Sequence, residues 1–457
     1  MTAFCEKVQR FALSEIYSIL VFLIAYACVV FEQPAFAFCA MMAILIIVCL
    51  FCDDILPMLL PLLLLFCVAL LNAQHVAELD WLFYCFVPTA GVALVYRFAR
   101  GVRTLRLGGS FFGLVAVSGA VLLGGIGSIT PGEYFSIPSL YHVLGLGPLM
   151  IILYLFLKSA VNVKRDYDVA DKVAGAMYLA AVFIAFMILR IFVAYPDIWE
   201  AGESMTNAVV RHAPWRNSAA ALVVMMLPFI FYYARRHHPI HLLSALAIYI
   251  TITLSGSRGA FVCGGIQMVL CLFFFYLTKR SRLRRIILIA VLVLLALVIV
   301  FVDPIIDFCS EYLRMSLNFD NIAKESRFRL FFRSFEDFSA SPVFGTGLGY
   351  MGNQDIYVPY EKTWQITWYH SLIPQIIGSL GIVGVLAYGY QLWLRLRVIL
   401  AAERTLYTKA LLFSYIGILL YSQIDPGIFS PMPFAALTVF LFVFLEARAK
   451  NPQSGKV

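Results

Sequence analysis

The chain has 457 residues, of which 62% are hydrophobic and only 13% charged, and it carries a formal net charge of +8. Soluble domains carry roughly 25% charged residues, so this balance excludes an ordinary soluble enzyme and points to the bilayer class. The positive charge is no nucleic-acid signature: most Lys and Arg sit in short clusters between apolar runs, where they orient a membrane protein.

A helix needs about 20 apolar residues to cross the hydrocarbon core. Apolar runs fall near 12–31, 35–52, 55–73, 82–98, 109–127, 140–157 and 173–195. Others follow near 218–234, 240–256, 259–278, 286–304, 371–394, 407–424 and 432–447. They predict an all-α, polytopic membrane helical bundle of about twelve to fourteen transmembrane helices, with residues 1–457 forming one membrane domain. The first run lacks a small-residue cleavage site after it and is expected to stay as a helix. Of the 10 cysteines, most lie inside apolar runs, and Cys49 and Cys52 have no second pair at a zinc-like spacing, so they read as small hydrophobes.

The basic clusters set the orientation. Arg97, Arg100, Arg103 and Arg106 form one cluster, and Lys158, Lys164, Arg165 and Lys172 another. Arg235 with Arg236, then Lys279, Arg280, Arg282, Arg284 and Arg285, then Arg395, Arg397, Arg404 and Lys409 follow. With these spans, all fall on one side together with both termini, which the positive-inside rule makes cytoplasmic. The outward side receives the segment 196–217, the junction near Arg258, a large loop over 305–370 and the turn from Asp425 to Pro433. Within the large loop, Phe328, Phe331, Phe332, Phe335 and Phe338 recur at near-helical spacing, which predicts an amphipathic helix on the outer face. Gly345, Gly347, Gly349 and Gly352 follow it. No Lys stands where a phosphate-cradling loop needs one, so a tight structural turn is expected.

Arginine is counter-selected outside, so the Arg residues found there ask for a reason. They are Arg211, Arg216, Arg258, Arg314, Arg327, Arg329 and Arg333. Arg258 lies between two apolar runs with almost no loop, flanked by Ser255, Gly256, Ser257 and Gly259, which let backbone approach a ligand. A charge at membrane depth is a functional hypothesis by default, and a guanidinium binds phosphate bidentately. The competing reading is an interfacial anchor or a structural ion pair. Arg190, inside its run, reads equally as a side chain snorkelling outward. His370 closes the large loop in Trp-Tyr-His-Ser-Leu. Alone it reads as an interfacial hydrogen-bonder. Opposite several phosphate-binding Arg it reads as a general base, for which a free imidazole pKa near 6.5 is suited.

A family resemblance rests on these same residues. Trp215-Arg216-Asn217-Ser218-Ala219-Ala220 precedes a span, and Ser255-Gly256-Ser257-Arg258-Gly259-Ala260 follows. Ser326-Arg327, Ser341-Pro342 and Phe344-Gly345-Thr346-Gly347-Leu348-Gly349 come next, then His370 before Gly381-Ile382-Val383-Gly384. This order resembles the O-antigen ligase and polymerase superfamily over roughly 210–390, read as a ligase/polymerase-like core. Two departures stand out: relatives commonly have Asn after the His where this chain has Ser371, and they usually have about twelve spans.

The resemblance implies a bacterial inner-membrane glycosyltransferase of lipopolysaccharide biosynthesis. It would move an O-antigen or similar glycan from undecaprenyl diphosphate to lipid A–core at the periplasmic face. An O-antigen polymerase joining lipid-linked repeat units is the alternative. It carries diphosphate binding onto Arg258 and Arg327, with Arg216 and Arg329 assisting, and catalysis onto His370. The implied partners are the undecaprenyl-diphosphate-linked glycan, lipid A–core or a second lipid-linked glycan, and membrane lipids, with no nucleic acid. No cofactor and no metal are expected: Asp303, Asp307 and Glu311 are spaced along a helix end as solvated caps. Arginines would carry the leaving-group charge in place of a metal, and single displacement implies inversion. A transporter of the same lipid-linked glycan would instead place charges near midplane in paired, interrupted spans with an internal repeat. The charges here gather at the outer face, which favours an enzyme. Ligase is favoured over polymerase because one large outer loop closes the site, and the next-largest outer segment, 196–217, is much shorter.

Overall fold

A computed structural model describes residues 2–71, 80–101, 105–126, 137–161, 167–195, 209, 211–213, 215–277, 289, 326–348, 369–425 and 427–449. Every regular element among them is helical. In chain order they are α1 (Thr2–Ala12), α2 (Glu15–Val30), α3 (Pro34–Phe51), α4 (Leu59–Leu71), α5 (Asp80–Gly101) and α6 (Gly109–Leu123). Then come α7 (Ile137–Leu146), α8 (Pro148–Ala160), α9 (Val169–Ala194), α10 (Arg216–Arg236), α11 (His241–Leu254) and α12 (Arg258–Leu272). The last four are α13 (Ser326–Ala340), α14 (Leu372–Ala401), α15 (Leu406–Tyr421) and α16 (Ala436–Ala449).

The fold is the all-α polytopic bundle that the apolar runs predict. Each of those runs coincides with described helix except 286–304, of which only position 289 is described; Asp303, Asp307 and Glu311 lie outside the described residues. Six described helices are long and apolar enough to cross a bilayer unaided: Pro34–Phe51, His142–Ala160, Val169–Ala194, Arg216–Arg236, Gly259–Tyr276 and Leu372–Ala401. The pair α1 and α2, bent by 67° at their junction, makes a seventh. The remaining apolar helices, among them Gly109–Leu123 and Leu406–Tyr421, are shorter. At 1.5 Å per residue, 15 residues reach only about 22 Å of a core roughly 30 Å thick. A count of twelve to fourteen therefore requires these shorter helices to cross as well.

The bundle is built around α10. Every residue from Ala219 to Tyr232 is buried, as expected of a helix that is apolar all round, and α9, α12 and α15 pack against it. Contacts fix the two ends of the bundle. At one end Tyr421, closing α15, reaches Asn217 at the start of α10 and Ser257 at the start of α12. At the opposite end His237 after α10 pairs with Asp171 of α9 at 2.8 Å, and Lys158 of α8 pairs with Glu446 of α16 at 2.7 Å. Arg190 meets Glu32 at 2.9 Å and is half of a partly exposed ion pair.

The run expected as one span over 371–394 is a longer helix broken near its start. Gly381 takes φ 60° and ψ −153°, a conformation outside any helix and open essentially to glycine alone. The glycine turn after α13 fills the break. Ile382 and Val383 N–H donate to the carbonyls of Pro342 and Val343, and Thr346 and Gly347 N–H donate to those of Gly378 and Ser379. The described part of the turn is thus structural, with the Thr346 and Gly347 amides already spent on α14; Gly349 and Gly352 lie outside the described residues. The backbones approach so closely that a Cβ on Gly345 would lie 2.3 Å from the Ser379 carbonyl carbon. The broken-off segment 372–380 begins with the Leu372 N–H on the Ser422 carbonyl after α15. It ends with Leu380 against Gly124 after α6. It therefore runs from the end of one helix to the end of another, and the straight part of α14 starts only beyond Gly381.

The amphipathic helix forms over 326–340 as α13, but its aromatic face is not the one that packs. Leu330, Ser334 and Asp337 are buried, whereas Phe331, Phe332 and Phe335 are exposed.

Candidate functional site

The site is assembled from helix ends. Arg216 is the first residue of α10 and Arg258 the first of α12. Helix N-termini carry partial positive charge and unsatisfied N–H groups, so an arginine at each adds to a field that already favours anions. Ser257 caps α12, its side chain accepting from the Ala260 N–H at 3.4 Å. Gly256 before it has φ 72°, a left-handed turn that brings α11 into α12 without a connecting loop.

Tyr421 holds these two N-termini together. Its hydroxyl donates to the Asn217 carbonyl at 2.8 Å and lies 3.2 Å from Ser257 Oγ. A Cβ on Gly259 would sit 3.1 Å from the Tyr421 ring. The small residue expected beside Arg258 to admit a ligand is therefore needed for close packing within the protein.

His370 lies next to the same helix end. Its φ is 54°, a left-handed conformation that costs an L-residue roughly 1–2 kcal/mol. Such strain persists only where the surroundings over-determine it, and here they do. On one side Tyr369 is 1% exposed, with its N–H on Gln375 Oε1 at 3.1 Å. On the other, Leu372 N–H is tied to Ser422 at 2.7 Å. His370 Nδ1 faces Asp425 Oδ1 at 3.9 Å, too far for a hydrogen bond. Nδ1 is buried, with no hydrogen-bond partner among the described residues. Asp425 in turn is anchored by its N–H on the Tyr421 carbonyl at 3.1 Å.

Of the residues singled out in the sequence, Arg216 and Arg258 adjoin the two residues that the Tyr421 hydroxyl touches, and His370 faces the Asp425 that the Tyr421 carbonyl holds. Arg216 is half-buried. The side chains of Arg258, Arg327 and Arg329 lie outside the described residues, although the helix positions are described. Arg327 and Arg329 stand in the first turn of α13, which docks on α14 beside Tyr369. Arg211 is exposed. Arg333 is engaged with Glu336 and Asp337, both at 3.1 Å, and so reads as structural. Arg314 lies outside the described residues.

Asp425 and Tyr421 were not singled out as site residues. A lone Asp in a short turn and a Tyr at the end of an apolar run carry no local signal. The one available hint was that an acidic residue stood on the same predicted side as a candidate base.

The arrangement brings two helix N-termini onto the Tyr421 hydroxyl, while the Tyr421 carbonyl holds the Asp425 that faces a strained His370. Residues 242–389, about a third of the chain, match the protein family described as O-Antigen ligase. The match runs from α11 to the body of α14; it includes positions 258, 327, 329 and 370 and leaves out Arg216 and Asp425. No curated protein matches the chain. The order of its motifs and this match make the stretch 242–389 similar to the O-antigen ligase family, in keeping with the resemblance to the ligase and polymerase superfamily.

Proposed function

We propose that the protein transfers an O-antigen or related glycan from undecaprenyl diphosphate to lipid A–core, working at the periplasmic face of the bacterial inner membrane with both termini in the cytoplasm. The observation that carries this reading is the meeting of the α10 and α12 N-termini with His370 and Asp425 around Tyr421. In the reaction, His370 takes the proton from the acceptor hydroxyl as its oxygen attacks the anomeric carbon. The bond from that carbon to the diphosphate oxygen breaks, a glycosidic bond forms with inversion, and the undecaprenyl diphosphate leaves as an anion. Arg258 and Arg327, helped by Arg216 and Arg329, stabilise the charge that develops on the leaving oxygen. Asp425 stabilises the imidazolium once the proton has arrived, as a carboxylate behind a catalytic histidine does.

Two experiments test this. Cysteines introduced at positions 258 and 370 should react with an impermeant thiol reagent added outside, and one at 282 should not. Labelling at 282 alone would invert the topology and remove the periplasmic site. Loss of the protein should leave lipid A–core bare while full-length polymer accumulates on its carrier. Core capped with a single repeat unit would instead identify a polymerase. The ligase is favoured over the polymerase because a single large outer segment closes the site.

A further inference from the structure

The left-handed backbone of His370 depends on what its neighbour does, and Tyr369 is among the most tightly held residues outside the spans. Its ring packs so closely on Gly378 that a Cβ there would lie 2.9 Å from it. Its hydroxyl donates to the Asp337 carboxylate of α13, and its N–H donates to Gln375 Oε1, whose Nε2 continues to Ser379 Oγ at 2.8 Å. Asp337 is 3% exposed and also accepts from Arg333 Nε at 3.1 Å. Burial lifts its carboxyl above the ordinary range, with the Tyr369 hydroxyl and Arg333 pulling it back. A buried carboxylate and a buried phenol each lose heavily if left unpaired, so the pair stays closed.

This bond joins two pieces that the reaction needs in fixed relation. Arg327 stands in the first turn of α13, ten positions before Asp337 on a continuous helix, and His370 follows Tyr369 directly. We propose that Tyr369 is a positioning residue: its hydroxyl on Asp337 locks the backbone of His370 and the docked helix α13 into one unit. The base and the loop arginine thereby keep their separation. This rests on the reading of His370 as base and Arg327 as diphosphate ligand.

The test uses full-length protein in proteoliposomes, with amide hydrogen exchange and transfer from an undecaprenyl-diphosphate glycan to lipid A–core measured side by side. Tyr369→Phe keeps the ring and removes only the hydroxyl. Exchange over 369–376 and α13 should rise about tenfold, the factor that one buried hydrogen bond is worth. Over α10 it should stay unchanged. Transfer should lose about tenfold in kcat with KM for either substrate unaltered, since geometry in the transition state and not binding is disturbed. Asp337→Asn, which retains an acceptor for the hydroxyl, should restore most of both readouts relative to Asp337→Ala. The double variant Tyr369→Phe, Asp337→Ala should be no worse than Asp337→Ala alone.

Faster exchange with unchanged kcat would overturn the proposal, because the bond would then hold the helix and not the chemistry. A fall in kcat without faster exchange, or a rise in KM alone, would overturn it too. Normal transfer by His370→Ala would remove the base assignment itself, while leaving the exchange result to stand or fall separately.

Discussion

The two ends of the bundle each hold an acid–base pair, one buried and one half-exposed, and they treat them in opposite ways. At the end away from the site, Glu446 accepts four hydrogen bonds. They come from the Ser110 N–H at 2.9 Å, Ser110 Oγ at 2.7 Å, the Tyr154 hydroxyl at 2.7 Å and Lys158 Nζ at 2.7 Å. Gly108 makes room for the carboxylate, since a Cβ there would fall 1.8 Å from Glu446 Oε2. At the site end the corresponding pair, His370 and Asp425, stands 3.9 Å apart, with a buried ring nitrogen that makes no hydrogen bond among the described residues. A saturated network rigidifies, because each donor is already used. An open one leaves electrostatic capacity that a substrate can complete. Lys158 was read as part of a topology-setting cluster, and its closed pairing agrees with a structural part. The difference between the ends distinguishes architecture from chemistry more sharply than the presence of charge does.

Substitutions should separate the two ends. The largest effect is expected from His370→Ala, a loss of about 10²–10⁴ in transfer rate with the folded amount unchanged. Arg258→Lys should fall within the lower half of that range, because an ammonium cannot reproduce bidentate phosphate contact. Near-normal rates in a reconstituted transfer assay would remove either residue from the site. At the closed end the effect should be on stability. Lys158→Met leaves a buried carboxylate without its counter-charge and should cost roughly 3–5 kcal/mol, read from thermal unfolding in detergent, with transfer per folded molecule preserved. Lys158→Met combined with Glu446→Leu should recover most of that loss; a double variant as unstable as the single would mean the pair is not the origin of the cost. The smallest effect is expected from Asp425→Asn, a drop of about tenfold in kcat, because a carboxylate 3.9 Å away stabilises the imidazolium without a direct hydrogen bond. If Asp425→Asn matched His370→Ala, the two groups would be in direct contact during turnover.

Much of this architecture is local and was therefore readable in the chain. Apolar runs of bilayer length are helices, because an unpaired backbone group is intolerable in hydrocarbon. The arginines that break the positive-inside pattern at 216 and 258 stand at the first residues of two helices, and the loop aromatics at 326–340 form a helix. What escaped the sequence lies in contacts between distant positions. Tyr421 meets Asn217 across 204 residues, Lys158 meets Glu446 across 288, and Asp425 reaches His370 from a separate turn. Periodicity and charge counts describe which face of a helix is apolar and which end is basic, but not which neighbour fills the space beside it. The break at Gly381 is of the same kind. A glycine within an apolar run reads as continuous helix until a second segment, Pro342 to Gly347, is seen to supply the hydrogen bonds that the break releases. The sequence by itself determined most of the helical stretches and the residues with unusual charge. Only tertiary packing decided which ends meet, because a broken helix, a strained histidine and a buried carboxylate each persist only when another part of the chain supplies the missing partner.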